Sequence, residues 1–287
     1  GAGDPATRTL HLQGSDMTTS PSNPGTAVVT GASSGIGAIY ADRLARRGYD
    51  LILVARNRDR LEGVADRIAA QTGRTVEVLA ADLTVKQDLV GLEQRIANDP
   101  AIRLLVNNAG FNIGTPVSVS DPDQMEAMIQ LNTVALTRLS RAAAPAFVAR
   151  GGGVLINIAS IVALAPGILN GAYSGSKAYV VNFSQALHFE LGAQGLRVQA
   201  VLPGATRTDF WDASGIPVAG LPQDIVMSAE HMVDAALAGL DMGELITIPS
   251  LSEAAGWDRL EAAREALAPQ LSRSEPAARY ARALQTA

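Results

Sequence analysis

From Ala27 to Ile248 the chain alternates short apolar runs with stretches in which apolar residues recur every three or four positions. No other feature constrains the fold as much. The runs Ala27–Val29, Leu51–Ala55, Val76–Ala81, Ile102–Val106, Val154–Ala159, Leu196–Leu202 and Leu245–Ile248 read as strands buried in a sheet core. The stripes between them carry helix boundaries. Asn57 stands at an N-cap position before Leu61, Val64, Ala65 and Ile68, and Gly73 marks the stop. Asp121-Pro122 opens a helix through Met125, Met128, Ile129, Ala135, Leu136 and Leu139, and Ser228 can cap another. This order implies a parallel sheet with right-handed crossovers and helices on both faces.

At 287 residues, with 47% hydrophobic and only 4% aromatic side chains, the chain fits one α/β domain with a core of small aliphatic residues. A net charge of -5 supplies no electrostatic reason to bind nucleic acid or an anionic membrane. The lack of cysteine excludes disulfides and thiolate catalysis, and His11, His188 and His231 have no second ligand at metal spacing. No metal is expected. No apolar run has the length of a membrane span, and the first residues lack the basic-then-apolar order of a secretion signal, so a cytoplasmic protein is expected. Residues 1–25 read as an N-terminal tail, of which Gly1–Asp16, ahead of Met17, is expected to be foreign to the natural chain. Residues 250–287 hold helical patches such as Trp257–Ala268 and read as a C-terminal helical extension.

The turn Thr30-Gly31-Ala32-Ser33-Ser34-Gly35-Ile36-Gly37 joins the first strand to the first helix, whose stripe is Ile36, Ile39, Tyr40 and Leu44. Glycines there permit a sharp bend and close approach of a ligand, and they leave amide N–H groups at a helix start pointing toward it. Such a loop suits a pyrophosphate. Its spacing, Gly-x-x-x-Gly-x-Gly, departs from the Gly-x-Gly-x-x-Gly of the standard dinucleotide fingerprint.

In an open parallel sheet, ligands bind beyond the carboxyl ends of the strands. The polar residues that stand out lie there: Arg56 after the second run, Asp82 after the third, Asn108 after the fourth, Ser160 after the fifth and Pro203-Gly204 after the sixth. Asp82 and Asn108 belong to common turn-forming types, so a purely structural turn would place them equally well. Asn132 falls on the apolar stripe of the Asp121 helix, where its side chain must find partners or cost stability. Tyr173 and Lys177 stand four residues apart on one face of a long helix ending near Leu191. An ammonium beside a phenol lowers a pKa ordinarily near ~10, which would let Tyr173 exchange a proton at neutral pH. An incidental pair on a solvated helix face would show the same spacing.

Taken in chain order, the glycine turn, Asn107-Asn108-Ala109-Gly110, Asn132, Ser160, Tyr173-x-x-x-Lys177 and Pro203-Gly204 resemble the classical branch of the short-chain dehydrogenases/reductases across residues 26–249. The resemblance implies a single-domain, Rossmann-like, doubly wound parallel sheet. It also implies hydride transfer between nicotinamide and a carbonyl or secondary alcohol. On that resemblance Tyr173 is the general acid/base, Ser160 polarises the substrate carbonyl, and Lys177 holds the nicotinamide ribose and lowers the Tyr173 pKa. Asn132 binds a water that links Lys177 to solvent. Gly31, Ser33, Ser34, Gly35, Ile36 and Gly37 take the pyrophosphate region, Asp82 and Leu83 flank the adenine, and Asn108, Ala109 and Gly110 support the cofactor along strand four. Thr206, after Pro203 and Gly204, reaches the carboxamide.

Where enzymes of this architecture that use NAD place an acid at the end of strand two, this chain has Arg56, a cation suited to a 2′-phosphate. NADP(H) is therefore expected in preference to NAD(H), with Ser33 and Arg56 as neighbours of that phosphate. The expected partner is a small carbonyl or alcohol substrate, chosen by Asn112–Val117, Val162–Leu169 and a lid at 205–222, and the resemblance implies a homodimer or homotetramer. Rival functions are a nucleotide-sensing regulatory protein and a 3-oxoacyl-acyl-carrier-protein reductase. Retention of Asn132, Ser160, Tyr173 and Lys177 argues against the first, and a glycine loop without the basic residue typical of the second argues against that one.

Overall fold

The computed structural model describes residues 23–280. Among these residues, seven strands form one parallel sheet: β1 (Thr26–Thr30), β2 (Asp50–Ala55), β3 (Val76–Ala80), β4 (Ile102–Asn107), β5 (Gly153–Ile158), β6 (Leu196–Val201) and, after two short strands described below, Ile246–Thr247. Their order is β3-β2-β1-β4-β5-β6 followed by Ile246–Thr247, so the direction of winding reverses between β1 and β4. That reversal opens a crevice at the carboxyl ends of β1 and β4. The architecture is the expected Rossmann-like sheet with helices on both faces, in one domain.

Helices α1 (Gly35–Arg46) and α2 (Arg58–Thr72) cover one face, joined there by a helix at Ala229–Asp241; Tyr40, Leu44, Leu61, Ile68, Val233 and Leu237 form that core. Helix α3 (Lys86–Asn98) covers the other with Leu89, Leu92 and Ile96. As expected, Asn57 caps α2 through the Arg60 N–H at 2.9 Å, and Gly73 ends it at φ +69°. Asp121 caps α4 (Pro122–Ile129), which has proline in its first turn.

The single helix expected from Asp121 through Leu139 is three pieces. After α4 comes a π-helical turn, Gln130–Ala135, and then α5 (Leu136–Ala149). The wider turn holds one residue more than an α turn, and such insertions cluster at functional sites; this one contains Asn132. Helix α6 (Gly171–Leu191), capped by the Asn170 side chain, packs on β5 and β6 and carries Tyr173 and Lys177 in its first two turns.

Beyond β6 the chain forms a cover in place of a plain loop. Strand β7 (Thr206–Arg207) pairs parallel with β8 (Met227–Ser228), and helix α7 (Phe210–Ala213) lies between them. Helix α8 (Ala229–Asp241), capped by Ser228, and the sheet strand β9 (Ile246–Thr247) follow. Helix α9 (Ala255–Glu265) docks on α6, where Gln185 donates to Glu261 at 2.9 Å and Arg264 donates to Gln185 at 2.9 Å. The readings made for Gly1–Asp16 and the last seven residues lie outside the described residues.

Candidate active site

The glycine turn is built against the start of the segment after β4. Gly31 and Gly35 have φ of +67° and +52°, a region that side chains disfavour. A Cβ on Gly31 would lie 2.8 Å from Asn108 Nδ2, and one on Gly37 would collide with the Gly31 carbonyl oxygen. Asn108 Nδ2 donates to the carbonyls of Thr30 (3.1 Å) and Gly31 (3.2 Å), while the N–H groups of Asn108 and Ala109 both donate to Thr30 Oγ1 at 3.0 Å. The Asn108 side chain therefore grips the turn from behind. Among the described residues Ser34 makes no side-chain cap bond and the first turn of α1 has no acid, whereas α2, α4 and α8 begin with both. The positive end of α1, flanked by part-exposed Ser33 and Ser34, is left for an anion.

Arg56 is exposed at the end of β2. Burial would raise the Asp82 pKa, but hydrogen bonds from the Thr84 hydroxyl (2.7 Å) and N–H (2.9 Å), aided by the positive field of Arg56, hold it below the ordinary carboxylate value. Arg56 and Asp82 thus share one corner of the crevice, with Leu83 buried beside them.

Ser160, Tyr173 and Lys177 converge at the ends of β5 and α6. Ser160 caps a short 3-10 turn by accepting from the Val162 N–H at 3.3 Å, which leaves its hydroxyl proton to donate. Tyr173 is 5% exposed and Lys177 6%. Lys177 Nζ donates to the Ile158 carbonyl at 3.0 Å and lies 5.7 Å from the centre of the Tyr173 ring. Gly110 faces this group closely, since a Cβ there would be 2.9 Å from Asn132 Oδ1 and 3.7 Å from Lys177 Nζ.

Burial pushes the Tyr173 phenol well above its ordinary pKa, with the Ser160 side chain pulling it partly back, so the protein alone does not make the phenol acidic. Desolvation acts on the ammonium as well, drawing Lys177 down to about 8, which still leaves it charged at neutral pH. Asn132, 1% exposed, also finds protein partners: Phe111 N–H donates to its Oδ1 (3.1 Å), and its Nδ2 donates to Phe111 O (3.0 Å) and Ser176 Oγ (3.2 Å). Its side chain clamps the loop after β4 to α6.

The segment after β6 packs over these groups. The Phe210 ring sits 6.1 Å from that of Tyr173, Thr208 packs against Gly35, and Trp211 Nε1 donates to Thr206 O at 2.8 Å. Ile161 N–H donates to Pro203 O at 3.0 Å, tying the Ser160 turn to Pro203-Gly204. The buried Thr206 hydroxyl donates to Gly204 O at 3.1 Å.

A polar chain passed over in the sequence supports the site. Asn107 Nδ2 donates to Ser140 Oγ (3.1 Å) and Asn157 Oδ1 (2.9 Å), and Asn157 Nδ2 donates to Ser184 Oγ (3.0 Å). It links α5, β4, β5 and α6. The signal was legible: Asn157 interrupts an apolar run read as buried on both faces, where a polar side chain demands partners.

Residues 25–216 match the family model described as short chain dehydrogenase. A short-chain dehydrogenase from Sphingobium yanoikuyae, solved in complex with NADPH, is 47% identical, with a TM-score of 0.87 and coverage of 89% of this chain and 99% of that one. The bulky-bulky ketone specific alcohol dehydrogenase from Comamonas testosteroni is 42% identical, with a TM-score of 0.83 and coverage of 90% and 99%. Among curated relatives, a very-long-chain 3-oxoacyl-CoA reductase of Anas platyrhynchos is 36% identical across 62% of this chain, and the match spans 58% of that relative's length. The chain belongs to the short-chain dehydrogenase family. Among the described residues no helix is long and apolar enough to cross a membrane.

Proposed function

We propose that the protein is an NADP(H)-dependent carbonyl reductase for ketones with bulky apolar substituents. The observation that carries this reading is the convergence of Ser160, Tyr173 and Lys177, with Tyr173 packed in an apolar cluster with Ile113, Met128 and Val162, against which Met125, Leu169 and Phe210 lie. Apolar walls fit apolar ketone substituents, and exclusion of water strengthens each polar contact within. The ketone specificity named for the Comamonas relative supports the same substrate class.

When bound, NADP(H) supplies the hydride donor or acceptor. The uncapped, acid-free start of α1 and the glycines beside it fit a pyrophosphate, and exposed Arg56 fits a 2′-phosphate. Ser160 donates to the substrate carbonyl oxygen and Tyr173 delivers the proton to it. A phenol whose pKa is raised by burial is protonated at physiological pH and so carries the proton that reduction needs. Lys177, held by Ile158 O, stands within its own turn of Tyr173 to hold the nicotinamide ribose. Residues 205–222 act as the lid, and Asn132 keeps the loop after β4 in place for the cofactor.

Assay of NADPH and NADH oxidation with a panel of aryl ketones tests the proposal. Turnover with NADPH preferred is expected, and Arg56→Ala should lower kcat/KM for NADPH by about tenfold, the worth of one charge-assisted hydrogen bond. An unaltered preference in that variant, or NADH preferred by the wild type, would sink the cofactor assignment. Tight NADPH binding without turnover of any carbonyl would favour a sensor.

A further inference from the structure

Asn112 follows the clamped Phe111 in the loop after β4, and its carboxamide is buried without compensation. The residue is 4% exposed, and neither Nδ2 nor Oδ1 has a hydrogen-bond partner among the described residues. A primary amide brings two donors and two acceptor lone pairs, and dehydrating them unpaired is costly. Buried polar groups are satisfied in working proteins, and a group from outside the polypeptide would satisfy this amide.

The flanking residues say where that partner would sit. Phe111 is pinned through both backbone polar groups to Asn132, and Ile113 packs with Tyr173, Met128 and Val162. Gly114 lies against the lid so closely that a Cβ would collide with the Ser214 carbonyl oxygen. The loop that carries Asn112 is thereby fixed between the proton-transfer residues and the segment after β6. Were packing the only demand on this position, leucine would meet it with no polar group to dehydrate.

We propose that Asn112 is a substrate-specificity residue whose carboxamide hydrogen-bonds a second oxygen on the carbon next to the reacting carbonyl. The substrate class is then an α-oxygenated ketone with an apolar substituent on the other side. This rests on the ketone-reductase reading above. A site that hydrogen-bonds a substrate hydroxyl rejects the analogue lacking it, because the analogue leaves the buried amide unpaired.

Two isosteres provide the test: α-hydroxyacetophenone, and propiophenone, in which a methyl replaces the hydroxyl. The wild type should prefer the hydroxyketone, and Asn112→Leu should lower the ratio of the two kcat/KM values by about tenfold or more, mainly through KM for the hydroxyketone. Asn112→Ala, which adds no volume, carries the same expectation should the leucine variant fail to fold. Turnover of both ketones with a ratio that neither variant changes would overturn this proposal alone and assign the amide a structural role. Turnover of neither by the wild type would overturn the ketone-reductase reading and this proposal with it.

Discussion

At the scale of single residues, dehydration governs Tyr173 and Lys177 more strongly than their mutual attraction does. Tyr173→Phe removes the proton donor and keeps the ring; reduction should fall by about two to four orders of magnitude while NADPH still binds, as fluorescence titration would show. Lys177 has a stability consequence. Its pKa falls from 10.5 unfolded to about 8 folded, so between those values the unfolded chain binds a proton that the folded protein has released. Stability therefore rises with pH across that window, and below pH 8 the buried charge opposes folding in full. Lys177→Met should stabilise the protein at neutral pH by up to about 3 kcal/mol while abolishing turnover, an expected conflict between site and fold. Urea denaturation at neutral pH and near pH 10.5 checks it: the difference between variant and wild type should shrink toward the upper end.

At the scale of elements, the position of α6 depends on a few polar ties. Ser184 on α6 accepts from Asn157, which pairs in register with Asn107, itself bonded to Ser140 on α5. Asn157→Leu should cost about 2 kcal/mol by leaving partners unsatisfied, measured as a shift in the urea midpoint with unchanged slope. Helix caps at Asn57, Asp121 and Ser228 were legible in the sequence because a cap is chosen by residues within three positions of it. The π turn at Gln130–Ala135 was not. Its stripe reads as ordinary helix, and the extra residue is accommodated where Asn132 reaches across to Phe111, a contact between segments 21 residues apart.

At the scale of the whole molecule, the outer surfaces of α4, the π turn, α5 and α6 leave Ile129, Val134 and Tyr179 exposed around one groove, with Phe189 exposed further along α6. A stacked Tyr179–Phe183 pair, with ring centres 5.6 Å apart, stiffens that face. We expect a homodimer or homotetramer built on it: light scattering should report the assembly, and Tyr179→Glu should shift it toward monomer by burying a charge in an apolar interface.

Elements, their order and the residues at the strand ends could be derived from the chain alone, because apolar periodicity, caps and glycine turns act over a few positions. Parallel connectivity then carried Ser160, Tyr173 and Lys177 to the carboxyl ends of the strands. Tertiary structure decided what those groups can do. It turned the Asn108 amide onto the glycine turn, occupied Asn132 with Phe111, raised the phenol's pKa and left Asn112 unpaired. Each outcome depends on which distant atoms displace water from a polar group and which replace it, and no local pattern encodes that.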